Sequence, residues 1–221
     1  MRKVGLYMDI SMFDIIDTEI SNNKIVDKTM LLLQEKYKKI FSIKRIGNRY
    51  NGENDDWVTM YCSPKEQDEL IFSVKLNKDQ TTFEDNYMLR CVSHELEQTI
   101  KNEFEKNDIK AIAKVEIIGK NTLKEFITVE QFINKYNNTN FLAYIIVDNN
   151  MSEDTLKQIY ESLNNKYSNI FLKSLVYIVT DYNKCYENII TLPSISNSLI
   201  EKYGVKNKSI MKIFEGKIEK I

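Results

Sequence analysis

The 221-residue sequence is poor in the residue types from which most familiar active sites are built: one histidine, three cysteines, six glycines and two prolines. A single imidazole excludes any zinc site with two or three His ligands. It also leaves His94 as the sole candidate base for a hydrolase triad. Phosphate cradles need glycines so that the backbone can approach the anion, and six scattered glycines form no such loop. Cys62, Cys91 and Cys185 are odd in number and lack C-x-x-C spacing. No disulfide or metal framework is implied, and buried free thiols are expected. Lys and Arg total 31 against 32 Asp and Glu, a net charge of −1, so the chain lacks the basic excess of a nucleic-acid-binding domain.

Long apolar runs are missing too. Spanning a bilayer takes roughly 20 apolar residues, whereas the longest run here, residues 141–147, has the length of a buried strand. The amino terminus opens with Arg2 and Lys3, but Asp9 interrupts its short apolar stretch, unlike a signal peptide. As given, the chain reads as soluble and cytoplasmic; a leader or anchor upstream would make it extracytoplasmic.

What is present belongs to a folded domain: 43% hydrophobic and 11% aromatic residues exclude a disordered or fibrous chain. Periodicity predicts an α+β protein. After an N-terminal segment, 1–24, that is irregular in pattern and ends in the polar Ser21-Asn-Asn-Lys24, a first lobe over 25–119 reads α-β-β-β-α-β. Val26, Met30, Leu33 and Tyr37 fall at helical spacing over 26–39. A strand over 41–46 leads to an Asn51-Gly52 turn signal. Strand 57–63 places Val58, Met60 and Cys62 on one face and Trp57, Thr59 and Tyr61 on the other. Leu70, Phe72, Val74 and Leu76 alternate in a third strand, completing an antiparallel meander. The most amphipathic helix runs over 84–106. Val92, Leu96, Ile100 and Phe104 make its apolar face, and Arg90, His94, Glu97 and Lys101 its solvent face. Strand 111–118 follows, with Lys114 and Glu116 outward.

A second lobe over 120–221 has strands that do not alternate, 141–147 and 171–179, separated by a helix that Ser152 can cap. Strands apolar on both faces mark a buried parallel β-α-β unit. Helices at 129–136, 182–189 and 196–203 and a weak terminal strand at 208–214 complete it. Leu33-Gln-Glu-Lys-Tyr-Lys-Lys-Ile-Phe41 is echoed by Leu163-Asn-Asn-Lys-Tyr-Ser-Asn-Ile-Phe171. The echo reads as one helix-to-strand junction used twice.

Three constellations carry candidate chemistry. His94-Glu95-Leu96-Glu97-Gln98 nearly spells H-E-x-x-H, but Gln98 stands where the second zinc-binding His belongs; a solvated His is expected. Asp148 and Asp181 follow the two buried strands. If those strands are parallel neighbours, both carboxylates emerge at the carboxyl edge, where open α/β sheets bind ligands, and the pair is a candidate Mg²⁺ site. Ordinary turn and helix-cap roles compete for both residues. Trp57 and Tyr61, with Arg45 and Arg49 nearby, make a candidate ligand-binding surface, and Tyr50 and Lys44 extend it toward a single-strand nucleic-acid reading; packing of those aromatics under the long helix or beside the loop competes with both.

Residues 33–37, Tyr61-Cys-Ser-Pro64-Lys, Phe72-Ser-Val74 and Asp85-Asn-Tyr87 resemble uncharacterised lipoprotein-like or membrane-anchored ectodomains of low-GC Gram-positive bacteria. The resemblance implies a cell-envelope protein and no known activity. The sequence nominates no catalytic residue and no cofactor. The expectation is a non-enzymatic binding or protein-interaction protein with a protein partner, and the rival is a divalent-metal enzyme or ligand domain built on Asp148 and Asp181.

Overall fold

The computed structural model describes residues 19–49, 57–77, 79–119, 123–136, 139–148, 151–167, 169–192 and 194–221. The fold is α+β, and its contacts divide into two compact units, residues 1–68 with 72–85 and residues 69–71 with 86–221.

The first unit runs α1 (Glu19–Tyr37), β1 (Phe41–Arg49), β2 (Trp57–Pro64), β3 (Phe72–Asn77) and β4 (Phe83–Asp85). The strands form sheet A in sequence order, antiparallel throughout. The predicted meander is present, extended by the three-residue β4. Helix α1 begins earlier than the periodicity indicates, so Ser21-Asn-Asn-Lys24 is helical; the rest of the 1–24 segment, residues 1–18, lies outside the described residues, as do Tyr50 and the Asn51-Gly52 turn. The helix stops where Lys38 takes a left-handed φ of 55°. Leu33 and Thr29 are buried against sheet A, and the Thr29 hydroxyl meets Met60 Sδ at 3.5 Å. The alternation in β2 holds: Val58, Met60 and Cys62 are buried and Trp57, Thr59 and Tyr61 partly exposed.

The second unit runs α2 (Tyr87–Glu105), β5 (Ala111–Ile118), α3 (Val129–Lys135), β6 (Asn140–Val147), α4 (Glu153–Lys166), β7 (Phe171–Val179), α5 (Tyr182–Ile189), α6 (Asn197–Glu201), β8 (Val205–Phe214) and β9 (Lys217–Lys220). Sheet B has the order β5-β6-β7-β8-β9. Only β6 and β7 pair in parallel, with α4 as the crossover. The units part at Asp85/Asn86 rather than at residue 119. Helix α2 and strand β5, expected in the first lobe, belong with the second because β5 pairs along its whole length with β6.

Sheet B is covered by α2 and α4 on one face and in part by α5 and α6 on the other, which explains why the carboxyl-terminal halves of β6 and β7 are buried on both sides. Val92, Leu96, Ile100 and Phe104 of α2 join Leu156, Ile159 and Leu163 of α4 over Phe141, Ala143 and Ile145. On the other face, Cys185 and Ile189 of α5 and Leu199 and Ile200 of α6 cover Ile146, Leu175 and Tyr177. The repeated Lys-Tyr step is one junction reused: Lys36, Lys135 and Lys166 each place an ammonium over the next residue's ring, at 5.0, 5.8 and 5.4 Å.

Candidate functional site

A cluster of ionised side chains lies on the helix face expected to meet water. Arg90 and Glu97 are buried on α2, at 7% and 4% exposure. Periodicity marks that face as polar but does not reveal that it docks. Arg90 donates through Nη1 and Nη2 to the two Glu97 oxygens, at 2.9 and 3.1 Å, and through Nε to the Ile71 carbonyl at 2.9 Å. The Glu97 carboxylate also accepts the Val115 backbone N–H of β5 at 2.8 Å. Helix α2 is thereby fastened to β5 and to segment 69–71 through charge-assisted hydrogen bonds.

His94 is a correction. It is not a solvated surface imidazole: its Nδ1 lies 3.2 Å from Glu97 Oε2 and its side chain is 15% exposed. Lys114, read as outward-facing, is buried as well, because α5 covers that face of sheet B. Its ammonium donates to the Ile190 carbonyl at 2.8 Å, where a helix C-terminus welcomes a cation.

Electrostatics follow from this packing. Burial alone would raise the Glu97 carboxyl. The Arg90 charge, hydrogen bonds with His94 and Arg90, and the Lys114 charge outweigh burial and hold the group at about 2. Burial brings the Lys114 ammonium down to about 8; Glu97 and Glu69 resist that fall and Arg90 adds to it. Tyr186 donates to Glu69 at 3.3 Å, and burial with the Glu69 charge pushes its phenol up. A cleft of about 20 Å³, room for one water, opens beside Glu69, His94, Glu97, Gln98, Lys114 and Tyr186. A carboxylate-oriented imidazole is half of a triad, but none of the described residues lining this cleft is a Ser, Thr or Cys. Arg90 directs four hydrogen bonds to Glu97 and to the Ile71 and Val115 carbonyls. The arrangement is a fastening, and its chemistry is to hold α2 in register.

The nominated ligand surface sits on sheet A. Arg45 pairs across the ladder with Tyr61 and Trp57 with Asn77, so Trp57 and Tyr61 share the face turned away from Val58 and Met60. The Tyr61 ring lies by Gly47, where an added Cβ would come within 3.4 Å of it. The Arg49 backbone pairs with Val58 across an irregular register; its side chain lies outside the described residues. Lys44 forms an ion pair with Asp68 at 2.9 Å, which engages one charge of the nucleic-acid patch.

The Asp pair is brought to one edge. Strands β6 and β7 are parallel, and Val147 pairs with Ile178. Asp148 therefore sits level with Val179, and Asp181 follows two residues later. The Asp148 Oδ1 is buried without a hydrogen-bond partner among the described residues. Burial, then the Asp148 charge, pushes the Tyr182 phenol up. Asp181 is exposed and holds the N-cap position of α5, yet its side chain makes no cap hydrogen bond. Among the described residues no group of three or more His, Cys, Asp or Glu is placed to hold a metal ion. No described helix is long and apolar enough to cross a membrane.

No family model matches the chain, and no curated protein matches it. Among solved structures it is similar to a DUF5037 family protein from Ruminococcus gnavus ATCC 29149, with a TM-score of 0.68 and 17% sequence identity over 88% of this chain and 94% of that one. At that identity the likeness is one of fold, and the fold it supports is α+β.

Proposed function

We propose that the chain is a non-enzymatic binding or protein-interaction protein that binds through the Trp57–Tyr61 face of sheet A. One observation carries this reading. The ladder sets Trp57 and Tyr61 on one partly exposed sheet face with Arg45 directly opposite Tyr61, and Trp, Tyr and Arg are the side chains enriched at interaction hot spots. A rigid sheet presents such anchors at low entropic cost. The resemblance of residues 33–87 to lipoprotein-like ectodomains supports reading the chain as a cell-envelope component, and fractionation of cells expressing the native gene tests that placement.

Trp57 is the sole tryptophan, so its emission reports on this face alone. A partner captured from the native host should shift that emission. Its capture should be lost with Trp57→Ser/Tyr61→Ser while the melting temperature stays within about 2 °C of wild type, as for a surface change. Capture that ignores the double variant, or robust turnover in a screen for hydrolase and transferase activities, overturns the proposal.

A second reading has its own support: the parallel β6/β7 pair and the Asp148 Oδ1, without a hydrogen-bond partner among the described residues, suit a divalent-cation site that includes Asp181. Millimolar Mg²⁺ should then raise the melting temperature of the wild type and not that of Asp148→Asn. Equal responses end this reading.

A further inference from the structure

Helices α5 and α6 cover only part of their face of sheet B. Beyond Tyr144 and Leu175, toward the amino end of β7, the register lays Leu142, Lys173 and Lys212 side by side across β6, β7 and β8. The next row carries Ile118, Asn140, Phe171, Phe214 and Lys217 on β5 to β9 in turn. Paired positions on neighbouring strands share a face, and these two rows remain open: Ile118 is 49% and Phe214 39% exposed.

Two features of this open face bear on what covers it. Lys173 and Lys212 stand directly opposite each other, a like-charge pairing that costs stability in an antiparallel ladder. Neither forms an ion pair with a described residue. Carboxylates occur in these rows only on the outer strands: Glu219 of β9 stands opposite Lys212, Glu116 of β5 lies two strands from Lys173, and Lys173 has no carboxylate at its cross-strand positions on either neighbouring strand. Beside the two lysines, Phe171 and Phe214 meet edge to face at 4.9 Å, and the Lys212 ammonium lies 4.5 Å over the Phe214 ring.

From this juxtaposition we infer that the open half-face of sheet B is a second docking surface, and that its occupant is a polypeptide segment of another protein bearing apolar side chains and carboxylates. Apolar groups of the segment cover Phe214, Phe171 and Ile118, and its carboxylates neutralise Lys173 and Lys212. A single-stranded nucleic acid fits less well. Base stacking needs a free ring face, and Phe214 is engaged by both Phe171 and Lys212. The net charge of −1 also provides no long-range attraction for a polyanion.

The test uses the full chain and a fluorescein-labelled synthetic peptide that alternates Glu with Leu and Phe, beside a twin with Lys in place of Glu. The acidic peptide is expected to bind at least about tenfold more tightly than its twin, and Lys173→Glu/Lys212→Glu to weaken it at least about tenfold. Lys173→Glu alone, without any peptide, is expected to raise the melting temperature of the transition by about 1–4 °C through relief of the opposed charges. Equal binding of the twin, binding that ignores the double variant, tighter lysine-dependent binding of oligo(dT), or a melting temperature that Lys173→Glu leaves unchanged or lowers would each overturn the inference. Trp57→Ser/Tyr61→Ser should bind the acidic peptide normally, so this surface and the sheet A reading stand or fall separately.

Discussion

Arg90 and Glu97, two turns apart on α2 and both buried, form a two-pronged ion pair of 2.9 and 3.1 Å. A buried pair contributes little against an apolar replacement of both partners, but removing one leaves an uncompensated charge. Arg90→Leu is therefore expected to destabilise the second unit by about 3–5 kcal/mol, and Arg90→Leu/Glu97→Leu by less than the sum of the single changes. Urea denaturation of the three variants checks this; strict additivity would show that the pair is not coupled.

The Glu97 carboxyl is held at about 2, below its ordinary 4.5. A group depressed on folding stabilises above its unfolded pKa and loses that contribution as pH falls through the folded value. The wild type should thus lose up to about 3 kcal/mol relative to Glu97→Gln between pH 5 and pH 2. Lys114 gives a window at the other end. Its folded pKa is near 8, against 10.5 in the unfolded chain. The unfolded chain then binds more protons over that interval, so stability rises with pH. Relative to Lys114→Met, the wild type should gain up to about 3 kcal/mol from pH 8 to pH 10.5. Denaturation midpoints at the four pH values check both, and a difference that does not move with pH refutes the corresponding assignment.

Helix starts offer a cleaner comparison. The Ser152 hydroxyl accepts the Thr155 N–H at 3.0 Å, as the sequence leads one to expect, whereas Asp181 holds the equivalent position on α5 without any side-chain cap. Ser152→Ala should cost about 1 kcal/mol and Asp181→Ala only a few tenths. Thermal melts of the two variants decide it; equal losses would mean that Asp181 caps after all.

Much of this architecture was legible because hydrophobic period reports burial directly. The every-fourth-residue stripe of α2, the alternation in β2 and the unbroken apolar runs of β6 and β7 each identify an element and the faces it buries. What periodicity does not reveal is which polar residues are buried with partners. Arg90, Glu97 and Lys114 have the character of a wet face, and only the tertiary approach of β5, segment 69–71 and the Ile190 carbonyl makes them interior. Helix α2 and β5 group with the second unit for a related reason: β5 alternates like a strand of the meander, but its partner, β6, lies more than twenty residues downstream. Strand β9 carries no turn signal in the sequence, because Glu215-Gly216 turns the chain with φ of 49° and 72° while the usual hairpin signal is Asn-Gly or Asp-Gly. The Trp57–Tyr61 face was visible from alternation alone; the opposed Lys173 and Lys212 were not, because the pairing of β7 with β8 is a long-range register.

Two glycines separate backbone strain from crowding. Gly204 and Gly216 have nearly the same left-handed φ, 71° and 72°. A Cβ at Gly216 would meet nothing within 4 Å, whereas one at Gly204 would lie 3.1 Å from Thr180 Oγ1. Gly216→Ala thus carries the conformational cost alone, about 1 kcal/mol. Gly204→Ala adds displacement of a hydroxyl that donates to the Gly204 carbonyl at 3.0 Å, worth about 1 kcal/mol more. In thermal melts Gly204→Ala should fall further than Gly216→Ala, and Gly204→Ala/Thr180→Val, which keeps the clash but removes the hydrogen bond, should not recover. Recovery in that double variant would assign the loss to the hydroxyl alone, and equal single-variant losses would assign it to φ.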